Sequence, residues 1–287
     1  SDKTKEIDNS FLSKKMLLIT LTFGHTIVHW YQGLFSLILP FVKSSLSLSD
    51  VQIGVLSSIR QSSMTGLNLP SGFIADSYRR YTSLILFSAI MSFGSGYFLM
   101  GITNSYAIAI LASAVIGFGT ALWHPAGIGA LSITYPNNRG TALSIHGVGA
   151  SIGDSLGPII VGALFLQFSW QSIMTLHLPA SIVAGLIISF SVIKAYRWQN
   201  EKKQFKNYLS DIKKLASSIQ TISIMASYSF ILMGRLVIQT FLPIYISETL
   251  GYSSFILGVY LTLLYVLGMI SQPIMGVVSD KYGRKMV

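Results

Sequence analysis

The chain has 287 residues, of which 51% are apolar and only 10% charged. Soluble domains carry about 25% charged residues, so this composition excludes a soluble enzyme, a disordered tail and a nucleic-acid binder. The net charge of +10 is explained below by where the basic residues fall, and the absence of cysteine removes disulfides, iron–sulfur clusters and thiol nucleophiles.

A bilayer core about 30 Å thick needs roughly 20 mostly apolar residues in each crossing helix. Eight stretches meet this need, near 15–39, 51–75, 82–101, 106–134, 141–166, 171–193, 216–247 and 252–278. The first is no cleaved signal: it is too long, lacks a small-residue cleavage site and holds two histidines. With a cytoplasmic N-terminus, seventeen of the twenty Lys and Arg fall on the cytoplasmic side, Lys43 lies outside, and two arginines lie within spans. Basic loops stay on the side of synthesis. The expectation is an all-α, multi-pass integral protein of the plasma (inner) membrane, N-terminus in the cytoplasm, with lipid and no nucleic acid as its surroundings.

In chain order, span 1 carries His25 and His29, which share a helix face at i and i+4. Span 2 holds Arg60 and ends in Pro70-Ser-Gly72-Phe-Ile-Ala-Asp76-Ser-Tyr-Arg79-Arg80. Span 4 contains His124-Pro125. Span 5 has glycine at 149, 153 and 157, followed by Pro158, a small-residue stripe that admits a close neighbour, with Asp154 beside it. This stripe serves either tight static packing or a rocking surface between two halves. His146 and His177 lie away from the span centres and read as structural. The basic stretch 194–214 reads as a solvated linker between a six-helix unit (1–193) and a second unit (215–287). Span 7 carries Arg235, and span 8 ends in Pro273-Ile-Met-Gly276-Val-Val-Ser-Asp280-Lys-Tyr-Gly283-Arg284-Lys285.

The second unit repeats the first. Leu39-Pro40-Phe41 matches Leu242-Pro243-Ile244, Asp50 to Gly54 matches Ser254 to Gly258, and Gly72 to Arg80 matches Gly276 to Arg284, all at offsets of 203–204. Three matches in one order indicate a duplicated unit. If the copies are equal, the parent has twelve spans and roughly 390 residues, of which this chain supplies the first eight.

The G-x-x-x-D-x-x-G-R-[RK] pattern, complete from Gly276 to Lys285 and present from Gly72 to Arg80 with Arg79 at the turn-glycine position, resembles the major facilitator superfamily. Within it, His25-Thr-Ile-Val-His29-Trp-Tyr31, His124-Pro125 and Gly149 to Pro158 resemble the fosmidomycin-resistance branch. His29 stands where that branch has an acid, and Asp154 where it has a small residue. The resemblance implies two six-helix bundles, the second only begun here. It further implies spans 1, 4 and 7 around a central cavity, proton coupling, alternating access and a monomeric carrier.

Ionisable groups at the centre of a span cost about 2.5 to 3.5 kcal/mol each on insertion scales, and His25, His29, Arg60, His124, Asp154 and Arg235 all sit near that depth. Arg235, His25, His29, His124, Tyr31 and Gln32 are therefore the expected solute-binding residues, Arg235 offering a fork for a carboxylate or phosphonate. Asp154, His29 and Arg60 are the expected proton-coupling residues. Gly72, Asp76 and Arg80, with Gly276, Asp280, Gly283, Arg284 and Lys285, form a gating-loop motif. In it the aspartates meet helix N-termini, and the basic residues meet those aspartates or anionic lipid. Histidines spaced like His25 and His29 can hold zinc, but a zincin needs Glu where Thr26 stands, so neither metal nor cofactor is expected. The reading is a proton-coupled exporter of a small drug-like or anionic solute. Its alternatives are proton-coupled uptake of an organic anion, or a sensor or scaffold that transports nothing. No catalytic motif supports an enzyme.

Overall fold

The computed structural model describes the backbone of residues 2–196 and 205–282. Side chains are described for 12–196 and, in the second stretch, for all but 206, 268 and 271–282. Gly276 and Asp280 therefore have no described surroundings, and Gly283, Arg284 and Lys285 lie outside the described residues. Among those described there are nine α-helices and no strand: α1 (Asp2–Ser45), α2 (Asp50–Ser77), α3 (Thr82–Ile102), α4 (Tyr106–Thr134), α5 (Arg139–Leu164), α6 (Trp170–Ala195), α7 (Phe205–Ala216), α8 (Ile219–Ile244) and α9 (Ser254–Tyr282). The eight expected spans correspond to α1–α6, α8 and α9.

Five of these, α3–α6 and α8, are long and apolar enough to cross a membrane on composition alone. Helices α1 and α2 are more polar, carrying His29, Gln32, Arg60, Gln61 and Asn68, side chains that line an internal cavity. Polar residues in spanning segments are tolerated where they face the protein interior.

Helix starts follow local chemistry. Ser49 caps α2 through a reciprocal pair, accepting from the Gln52 amide at 3.3 Å while its own amide donates to Gln52 Oε1 at 2.9 Å. Ser169 and Ser218 cap α6 and α8. The repeat is also visible in the backbone. The α1–α2 loop turns through Ser47 (φ 51°), and the α8–α9 loop, which holds a π-turn at Tyr245–Thr249, turns through Gly251 (φ 67°), 204 residues later.

In the first bundle α1 lies on α5, α2 on α4, and α3 against both α4 and α6. The glycine stripe makes the first of these contacts. A Cβ on Gly149 would fall 2.4 Å from the Thr22 carbonyl oxygen, and one on Gly153 would fall 2.2 Å from that of Thr26. The stripe thus packs inside one bundle. The contact between the two units lies further along α5, where Gly162 and Pro158 meet Ser254 and Gly258 of α9. A Cβ on Gly258 would lie 2.4 Å from the Pro158 carbonyl oxygen, and Thr262 donates to the Ser155 carbonyl at 2.7 Å. At that same end Lys43 bridges Asp50 (2.7 Å) and Glu248 (2.5 Å), joining the units by charge.

Part of the basic stretch, from Phe205 on, is helical. Helix α7 carries Phe205, Tyr208, Leu209 and Ile212 at helical spacing and rests on the end of α2. There the rings of Phe73 and Phe205 are 5.0 Å apart, and Tyr208 donates to the Leu69 carbonyl at 3.1 Å.

Candidate functional site

A cavity of about 280 Å³ opens between the two units, walled by α1, α2, α4, α5, α8 and α9. Six of the expected residues reach it: His29, Gln32, Arg60, His124, Asp154 and Arg235. Each arrives on a different helix except His29 and Gln32, so the site exists only when the bundle is assembled. His29 Nδ1 and Asp154 Oδ2 are 3.0 Å apart, both side chains only about 15% exposed (16% and 15%). Gly153, next to Asp154, brings α5 close enough to α1 for this bond. Arg60 lies with its guanidinium carbon 4.5 Å from the centre of the Phe35 ring, a cation–π contact that leaves its charge uncompensated. Among the described residues neither Arg60 nor Arg235 forms an ion pair, so Arg60 does not pair with Asp154. Two guanidiniums thus face the cavity against one carboxylate already bonded to a histidine. Arginine does not release its proton in proteins, so Arg60 stands in the cavity wall as a cation.

Two expected residues do not line this space. Tyr31 is 3% exposed and points between α3 and α6, where it hydrogen-bonds Ser181 while its backbone carbonyl accepts from Tyr97. Tyr31 lies two positions after His29, about 200° around the helix, and so serves the core. His25 is 6% exposed and sits behind the cavity wall, donating from Nδ1 to the His146 carbonyl at 2.8 Å with its ring stacked on that of His146 at 3.9 Å. His124 donates to the Thr120 carbonyl at 3.1 Å, not to the Ala121 carbonyl that Pro125 deprives of a donor. One ring nitrogen each of His25, His29 and His124 lies within 4.8 Å of the others. His177 is satisfied in the core, donating to the Ile173 carbonyl at 2.8 Å.

The wall also includes residues that the sequence reading passed over, among them Gln61, Asn68, Tyr228, Gln239 and Tyr265. Gln239 donates to the Tyr265 hydroxyl at 3.1 Å. Gln239 lies four residues after Arg235, on the same helix face, which was the available signal. In the gating-loop motif, Gly72, Asp76 and Arg79 line a second hollow of about 320 Å³ with Arg139 and Tyr208. Arg80 is exposed and lies over the Tyr81 ring at 4.4 Å.

The model of the Major Facilitator Superfamily matches residues 21–287. The fosmidomycin resistance protein of Escherichia coli (strain K12) is 24% identical over 278 residues, which is 94% of this chain and 66% of that protein. The hexuronate transporter of Bacillus subtilis (strain 168) is 24% identical across 96% of this chain and 67% of its own. A bacterial homolog of the human lysosomal transporter Spinster, solved inward-facing and unoccupied, superposes with a TM-score of 0.78 at 16% identity, covering 95% of this chain and 64% of that one. A peptide transporter (POT, E310Q mutant) gives 0.69 at 17% identity. The chain thus spans about two thirds of these relatives. With its all-helical fold and its apolar helices it is a multi-pass integral membrane protein, and it belongs to the major facilitator superfamily.

Proposed function

We propose that this chain forms eight spans of a secondary transporter that moves a small organic anion by alternating access, exporting it in exchange for protons. The observation that carries the reading is the cavity. It lies between two units related by sequence repeat, at the depth where such carriers bind solute, and its two unpaired guanidiniums exceed its carboxylate. Planar guanidiniums in a low-dielectric pocket favour a carboxylate or phosphonate. In this reading Arg235 and Arg60 hold the anion, Gln32, His124 and Gln239 surround it, and the Arg79 end of the bundle faces the cytoplasm. Export is supported by the likeness to a resistance protein. A second reading, uptake of an organic anion, is supported by the likeness to a hexuronate transporter, and the same residues serve it.

Flux in proteoliposomes tests both, with and without an imposed pH gradient, using phosphonates and hexuronates as solutes. Gradient-driven flux that falls at least tenfold in Arg235→Gln supports the reading, and the gradient's sign chooses the direction. Flux indifferent to Arg235→Gln and Arg60→Gln refutes the binding assignment.

A further inference from the structure

We propose that His25, His29 and His124 form a binding site for a divalent first-row transition-metal ion of the zinc and copper type. The fold brings together three histidines from two helices, and one ring nitrogen of each lies within 4.8 Å of the other two. Every Nδ1 in the group is committed to an oxygen. That of His25 meets the His146 carbonyl at 2.8 Å, that of His29 meets Asp154 Oδ2 at 3.0 Å, and that of His124 meets the Thr120 carbonyl at 3.1 Å. A carbonyl or carboxylate only accepts, so each Nδ1 carries a proton, and a ring in its neutral form presents a lone pair at Nε2. Outer oxygen partners that fix the tautomer in this way, a carboxylate on one histidine included, are the usual support of metal-bound imidazoles.

A second observation points the same way. The Nε2 of His25 has no hydrogen-bond partner although the residue is only 6% exposed. A buried acceptor left unpaired destabilises the fold, and a metal ion would relieve it. Ring stacking accounts for His25 on His146, whose planes are 4° apart, but not for the other rings. His25, His29 and His124 are mutually near-perpendicular, at 89°, 82° and 82°, edge to face with ring centroids 4.5, 5.4 and 5.9 Å apart.

The donor set selects the ion. Three neutral imidazoles without thiolate suit zinc, copper, nickel or cobalt, and disfavour magnesium and calcium, which take oxygen ligands. Tetrahedral zinc with bonds of about 2.0 to 2.1 Å sets its nitrogens about 3.3 Å apart, so the rings close by about 1.5 Å or less through side-chain rotation. His29 and His124 line the transport cavity. If the transport reading above holds, the open coordination position faces the anion held by the arginines. In this assignment Asp154 orients His29.

The test is zinc alone, titrated calorimetrically into the purified protein in lipid nanodiscs, carried on a histidine-free affinity tag and stripped with a chelator. One ion per chain is expected, and cobalt is expected to give the visible absorption of a tetrahedral nitrogen site. His29→Gln and His124→Gln each abolish the signal, Asp154→Asn weakens affinity about 10- to 100-fold, and His177→Gln, at a core histidine outside the cluster, leaves it unchanged. Tryptophan-fluorescence melts confirm that each variant is folded, and His124→Gln carries the test should a variant on α1 fail to fold. Absence of stoichiometric zinc from the folded wild type, or equal affinity in the His29 and His124 variants, overturns the proposal. The assay reads the ion without transport, so its failure is separate from any failure of the transport reading.

Discussion

Replacing Gly153 by alanine tests the central contact of the first bundle. The added Cβ would sit 2.2 Å from the Thr26 carbonyl oxygen, 2.7 Å from the Trp30 amide nitrogen and 2.9 Å from the His29 Cβ. Two of these neighbours are backbone and cannot rotate away. Relief needs α1 and α5 to part by about 1 Å locally, and forcing extra volume into a packed contact costs about 1 to 3 kcal/mol. For a chain of this size about 1 kcal/mol corresponds to roughly 2 to 4 °C, so the melting temperature should fall by about 3 to 9 °C. Gly149→Ala, 2.4 Å from the Thr22 carbonyl oxygen, should behave alike. Gly157→Ala, whose nearest neighbour is 3.1 Å away, should cost less, and Gly147→Ala, with nothing within 4 Å, should be neutral or slightly stabilising. Tryptophan-fluorescence melting in detergent measures the series. Equal shifts at 147 and 153 would refute the backbone-contact argument.

Ser47→Gly should raise the melting temperature by about 1 to 3 °C, because Ser47 holds a left-handed φ of 51° that glycine adopts freely, as Gly251 does in the second unit. A drop would show that the serine side chain outweighs the strain. Tyr31→Phe removes a buried hydroxyl bonded to Ser181 and should cost about 1 kcal/mol without changing solute affinity; changed affinity with unchanged melting would put Tyr31 in the site after all. Lys43→Gln removes ion pairs to Asp50 and Glu248. Exposed pairs are worth about 0.2 to 1 kcal/mol each, so the Lys43 end should open up to about fivefold more often. Spin-label distances across that end, on single cysteines introduced into a chain that has none, read this directly, and an unaltered distribution would dismiss the latch. Asp50, and then Glu248, hold the Lys43 ammonium above its ordinary value. The latch is therefore intact at neutral pH and is lost as pH rises through that raised value.

Span positions were legible because each helix needs its own apolar length, and the ends found by charge and turn residues lie within a few residues of the helices, except that α1 runs on at both ends. The cavity was partly legible for a related reason. A charge in a span is costly unless it faces the interior, so depth alone singled out Arg60, His124, Asp154 and Arg235. Depth says nothing of azimuth, and Tyr31, two positions after His29, lies in the core and not on the cavity wall. His146 looked peripheral because it lies eight residues before Asp154, yet it sits seven before Gly153, on the face where α5 meets α1. Its position under His25 was set by glycines read only as a packing stripe. Helix α7 was hidden by composition. Its lysines marked a solvated segment, while the spacing of Phe205, Tyr208 and Ile212 already described an amphipathic helix.

The placement of contacts between the units bears on how the proposed carrier moves. Backbone approaches at Gly162–Ser254 and Pro158–Gly258, together with the Lys43 bridge, all lie at one end. These backbone approaches share the α5–α9 seam with Leu257 and Leu261, both buried, and with the Thr262–Ser155 hydrogen bond. Separating the units exposes these side chains and breaks that bond, while the charge bridge adds only about 1 kcal/mol. A carrier that must visit two states in comparable amounts needs such a shallow latch, since a gap of several kcal/mol would leave one state too rare to use. The α1–α5 contact is the opposite case. It fixes His29 against Asp154 inside one bundle, with backbone oxygens at either glycine, so it has no reason to move in the cycle. The same small residue thus builds a rigid wall at 149 and 153 and a separable seam at 162 and 258. What distinguishes them is whether the partner helix belongs to the same unit.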